Sequence, residues 1–133
     1  MNPVFAEQIK LYMQQAQEML LVAAHNLHDG FYSSSVNRSY YAVFYAANAI
    51  LATQQLARKQ HSGILSAFRL HFIKPGLIEP AYSDIYGRLF DDRNTSDYQL
   101  FSPITHQLAE VDLADAQAFV TRIQTWLQQE GWL

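Results

Sequence analysis

The chain has 133 residues, half of them hydrophobic and only 16% charged, a balance that supports one well-buried core and argues against disorder. Its formal net charge of −3 excludes a globally basic nucleic-acid protein, so contact with RNA would need a local cationic patch. With no cysteine, there can be no disulfide, zinc finger, thiol nucleophile or iron–sulfur ligation.

In chain order, Asn2-Pro3 reads as a cap with proline in the first helical turn. Phe5, Ile9, Tyr12, Ala16, Leu20, Ala23 and Leu27 then recur every three or four residues, which predicts an amphipathic helix over about residues 3–28. Asp29-Gly30 stops it, with Gly30 suited to a left-handed cap. Ser33, Ser34 or Ser35 is expected to cap a second helix running to about Gln55. Val36, Tyr40, Val43, Phe44, Ala47, Ile50 and Leu51 cover more than one stripe of it, which predicts a central position in a bundle. No charge falls between Arg38 and Arg58, but Asn48, Thr53, Gln54 and Gln55 make the stretch too polar to span a membrane.

A polar link precedes a third helix, with Ser62 as its expected cap and Pro75-Gly76 as its end. Pro80 opens a fourth, whose apolar face is Tyr82, Ile85, Tyr86, Leu89 and Phe90. The segment 99–110 is weakly patterned, with a turn at Ser102-Pro103. Asp112 and Asp115 read as the start of the last helix, since acidic groups favour that end of the helix dipole. Its seam is Leu113, Ala116, Val120, Ile123 and Leu127. Nothing alternates with period two. The expected fold class is all-α: a single-domain bundle of four to five helices over residues 1–133. The N-terminus lacks a basic-then-apolar signal, and a cytoplasmic protein is expected. Sparse charge and many tyrosines suggest that a second copy covers part of the surface.

Two stripes could carry chemistry. Tyr82, Tyr86, Leu89 and Arg93 are spaced by four, three and four, so Arg93 continues the apolar face of the fourth helix. A guanidinium there needs an acceptor, and Asp97, four residues on, can supply it. The arrangement is either a helix-end salt bridge or part of a cleft. On the second helix Arg38, Tyr41, Tyr45 and Asn48 share one face, either as a core edge or as a wet wall opposite Arg93. His25 and His28 lack a third ligand at a useful spacing, so no metal site is expected, and no cofactor. His61 stands at a helix start, where it is either a solvated loop residue or a donor to phosphate. No glycine-rich phosphate loop, nucleophile elbow or di-iron helix signature is present.

The run Ser35-Val36-Asn37-Arg38-Ser39-Tyr40-Tyr41-Ala42-Val43-Phe44-Tyr45-Ala46-Ala47 resembles the second helix of HEPN domains. His61-Ser62-Gly63 resembles the start of the next helix in a prokaryotic branch, and Arg93-Asn94-Thr95-Ser96-Asp97-Tyr98 resembles the HEPN active-site motif. The resemblance implies a helical bundle that dimerises with two motifs facing across a shared cleft. It also implies a metal-independent endoribonuclease acting as the toxin of a toxin–antitoxin pair with a nucleotidyltransferase antitoxin. The alternative is a non-catalytic module that binds a nucleotide or docks the nucleotidyltransferase. The family motif ends in His, where this chain has Tyr98, a poor base at neutral pH. The implied roles are phosphate charge for Arg93, orientation for Asn94, support of Arg93 for Asp97, and weak acid/base work or phosphate contact for Tyr98. Arg38, Tyr41, Tyr45 and His61 are the further candidates for RNA or nucleotide contact.

Overall fold

The computed structural model describes residues 2–56, 61–98 and 103–133, with backbone alone at 97 and 98. Among them lie five helices: α1 (Pro3–His28), α2 (Tyr32–Ala52), α3 (His61–Phe68), α4 (Pro80–Tyr98) and α5 (His106–Gln129). A π-helical turn, Arg69–Ile73, continues α3. No strand occurs among the described residues. The all-α bundle expected from the periodicity is therefore the observed fold.

α1 has the predicted bounds. The Asn2 Oδ1 accepts the Val4 N–H at 2.9 Å, and Gly30 leaves the helix at a φ of 86°. α2 is central, as its wide apolar surface requires. It packs against α1, α3, α4 and α5. Val36, Tyr40, Val43, Ala46, Ala47, Ile50 and Leu51 are wholly buried along it, and the small alanines let neighbouring helices approach closely.

Several predicted ends move. α2 begins at Tyr32, so the three serines lie inside its first turn, and no side chain caps it from Phe31. Ser35 is instead buried and donates to the Ala23 carbonyl at 2.9 Å, joining α2 to α1. α2 stops at Ala52 rather than near Gln55, because Gln55 takes the left-handed conformation at φ 57°. α3 already includes His61, which places Ser62 within the helix rather than before it. The polar link at 57–60 and Ser102 of the expected turn lie outside the described residues.

The largest correction concerns α5. It starts at His106, with Thr105 Oγ1 accepting the Leu108 N–H at 3.1 Å, and not at Asp112. Asp112 is wholly buried within the helix. Its acidity answers a tertiary partner instead of a helix end. Arg88 of α4 reaches Asp115 at 2.6 Å and Asp112 at 3.4 Å, with Asp92 at 3.9 Å. This cluster ties α4 to α5 directly beside Arg93.

Burial, followed by the hydrogen bond and charge of Asp92, raises the Asp112 carboxyl from 3.8 to about 8; Arg88 opposes the rise. The folded protein thus holds a proton that the unfolded chain releases. Stability is fullest below the unfolded value and declines as pH rises toward the folded one. Thermal melts of the wild type should fall between pH 5 and pH 8. Asp112→Asn should flatten that dependence and melt about 3–5 °C higher than wild type at pH 8. A variant as pH-dependent as the wild type would contradict the retention of a proton by Asp112.

Candidate functional site

α4 crosses α2 so that Arg93 continues the buried stripe of Tyr86 and Leu89 onto a tyrosine surface. Its guanidinium carbon lies 5.4 Å from the Tyr40 ring centre and 5.6 Å from that of Tyr41. Nη2 donates to the Tyr41 hydroxyl at 3.2 Å, and Nη1 to Asn94 Oδ1 at 3.4 Å. A guanidinium half-buried in a bundle is stabilised there by the electron-rich ring faces and by polar acceptors at its edge.

His61, at the first turn of α3, packs against the same surface. Its ring stacks on Phe44 at 4.3 Å between centres and meets Tyr41 edge-on at 5.7 Å. The Tyr40 hydroxyl is 2.9 Å from His61 Nδ1. Burial pushes the Tyr40 phenol far above its ordinary value, with Arg93 only partly opposing, so the hydroxyl keeps its proton. Burial and then the charge of Arg93 lower the His61 value from 6.5, and the imidazole is neutral at pH 7. At that distance the phenol pairs with either tautomer of the neutral imidazole, donating to a bare Nδ1 or accepting from Nδ1–H.

Arg38 approaches Tyr41 too, its guanidinium carbon 5.3 Å from the ring centre. Arg38 Nε donates to Asn37 Oδ1 at 2.9 Å, and Nη1 contacts the Met19 sulfur at 3.6 Å. The structure therefore brings together Arg93, Asn94, Arg38, Tyr41 and His61. Tyr45 lies at the margin, 6.2 Å from Tyr41 between ring centres. Asn48 leaves the group: it donates to the Phe44 carbonyl at 2.8 Å and lines a different pocket with Phe5 and Tyr12. The side chains of Asp97 and Tyr98 lie outside the described residues.

Tyr40 and Phe44 are site residues that the periodicity assigns only to the core. The adjacent Tyr40-Tyr41 pair carried the signal, since neighbouring helix positions point about 100° apart and one faces the core while the other faces the cleft. His28 sits 3.2 Å from Asp29 in solvent, and among the described residues no three His, Asp or Glu side chains converge to hold a metal ion. No described helix is long and apolar enough to cross a membrane.

The HEPN domain family matches residues 9–126. This chain belongs to the HEPN family. It is 33% identical to a Methanocaldococcus jannaschii protein named "Putative toxin", over 97% of this chain and 96% of that protein. A second protein of the same name and organism is 32% identical over 83% of this chain and 76% of its own length. A Thermotoga maritima relative, named "UPF0332 protein", is 31% identical over 90% and 91% of the two chains. In this HEPN chain the cation and the imidazole come from different helices, α4 and α3, and meet over the aromatic face of α2.

The geometry can be checked by titration. The His61 ring, followed by NMR, should titrate below an unperturbed histidine. Arg93→Gln removes the positive neighbour and should shift the midpoint upward, toward the ordinary value. An unchanged midpoint would mean that Arg93 does not face His61.

Proposed function

We propose that this HEPN protein engages RNA at the Arg93 surface and acts as the effector of a toxin–antitoxin pair. The observation that carries the reading is a half-buried guanidinium over Tyr40 and Tyr41, next to a neutral His61. Arg93 supplies permanent charge and paired hydrogen bonds for a phosphate, and Asn94 orients it. Tyr41 and Tyr45 offer ring faces to bases. The toxin role rests on the names of the two archaeal relatives. In the same proposal two copies bring their Arg93 surfaces together, which concentrates positive charge on an acidic protein, and a nucleotidyltransferase is the antitoxin partner.

Cleavage in this frame needs no metal. The 2′-oxygen of a ribose attacks the adjacent phosphorus, the 5′-oxygen leaves, and Arg93 stabilises the charge on the five-coordinate phosphorus. A base must take the 2′ proton, and an acid must return one to the departing 5′-oxygen. Tyr98 is unsuited to the base's step at neutral pH unless strongly perturbed, and Asp97 is assigned to support Arg93. A second reading, a module that grips RNA or a nucleotide without cutting, draws support from Tyr98 standing where the family motif has His.

Labelled total transfer RNA, incubated with the dimer or monomer as purified in EDTA, tests both. Binding should be strong for wild type and weaker by about tenfold or more for Arg93→Ala, the loss expected for a charged phosphate contact. Cut products from wild type alone would establish the ribonuclease. Binding without products would establish the gripping module. Wild-type protein that binds no RNA would overturn the proposal.

A further inference from the structure

The arginines of this chain differ in what neutralises them. Arg88 ends on Asp112 and Asp115, and Arg122 on Glu79 at 2.6 Å. Arg38 is half-buried and, among the described residues, meets no carboxylate. Its neighbours are the Asn37 amide oxygen, the Met19 sulfur and the Tyr41 ring. A guanidinium keeps its charge at all physiological pH values, and partial withdrawal from water favours an anion beside it.

Arg38 forms one wall of a pocket of about 320 Å³ whose other walls are Ser33, Ser34 and Asn37 of α2 and Ser96 of α4. Among the described residues no carboxylate and no apolar side chain lines it. The oxygens that could repel an anion are already engaged: Asn37 Oδ1 accepts from Arg38, and Ser96 donates to the Ser33 carbonyl at 3.0 Å. The Ser33 and Ser34 hydroxyls are bonded to no other described side chain, which leaves them as donors. The pocket thus combines a full positive charge with O–H groups, the complement of a phosphate, which presents acceptors only. It also shares the Tyr41 ring with Arg93, since both guanidinium carbons lie within 5.6 Å of that ring's centre.

We propose that the pocket of Ser33, Ser34, Asn37, Arg38 and Ser96 is a second phosphate subsite, holding the phosphate that neighbours the one at Arg93 along a bound strand. Assignment to a strand rests on the RNA reading above; the recognition of phosphate itself does not. A free nucleotide carries the same group, and the experiment separates the two sources.

Inorganic phosphate is first titrated into isotope-labelled full-length protein and followed by NMR. The Ser33 and Ser34 amides and Arg38 Nε should shift saturably. Ser34→Asp should abolish the response, because it adds a carboxylate to the pocket. It should also preserve the fold, since an acidic residue is favourable in the first turn of α2. Binding of a single-stranded RNA octamer and of AMP is then measured over a salt series for wild type, Ser34→Asp and Arg38→Gln. For a strand phosphate, both variants weaken the octamer about tenfold and lower the salt slope by about 0.7, one phosphate contact, with little AMP bound by any form. Tight AMP binding lost in both variants would support the subsite and assign it to a free nucleotide. Phosphate shifts without octamer binding by wild type would support the subsite and overturn the RNA reading. Absence of phosphate shifts, with octamer affinity and slope unchanged in both variants, would overturn the subsite.

Discussion

A guanidinium can be held on the inner face of a helical bundle only if something there replaces water. In this protein the replacement is the aromatic face of α2. Tyr40 and Tyr41, adjacent in sequence, present a buried ring and a half-buried ring to Arg93, and the Tyr41 hydroxyl accepts from it. The same face receives His61 from α3 and Arg38 from its own helix. Three basic side chains on an acidic protein therefore converge because one helix offers rings to all of them. Their mutual repulsion is part of the chemistry, since Arg93 helps to keep His61 neutral.

The helix that carries Arg93 is positioned by charge on its other side. Arg88 with Asp92, Asp112 and Asp115 links α4 to α5 through a buried acid that retains a proton. Such clusters are costly to bury, but they admit few alternative packings, because each side chain needs a particular partner. Ser96, bonded to the Ser33 carbonyl, joins α4 to the start of α2 on the far side of Arg93. Arg93 thus lies between two polar links that together set the register of α4 against its neighbours. The pocket around Arg38 opens beside the second of them.

Much of this was legible in the residues alone. The 3.6-residue rhythm gave α1 its bounds and made α2 central, because an apolar surface wider than one stripe can be covered only from several sides. The spacing from Tyr82 to Arg93 placed the guanidinium on the buried face. The second-helix run, Tyr40 and Tyr41 within it, carried the family resemblance that residues 9–126 bear out. The start of α5 is not legible there, because Asp112 and Asp115 satisfy a local rule about helix dipoles while serving a distant arginine. Thr105, the actual cap, stood in a segment with little pattern.

What the sequence determined by itself was therefore whatever depends on neighbours three or four residues apart: helices, their apolar faces, and the side on which Arg38, Tyr41 and Arg93 fall. Only the tertiary structure decided which of those faces meet. It brought His61 onto Phe44 and the Tyr40 hydroxyl, sent Asn48 to another pocket, and gave Asp112 a partner on another helix. Those outcomes depend on how α2, α3, α4 and α5 cross, and crossing geometry is set by the packing of many side chains together. No local spacing encodes it.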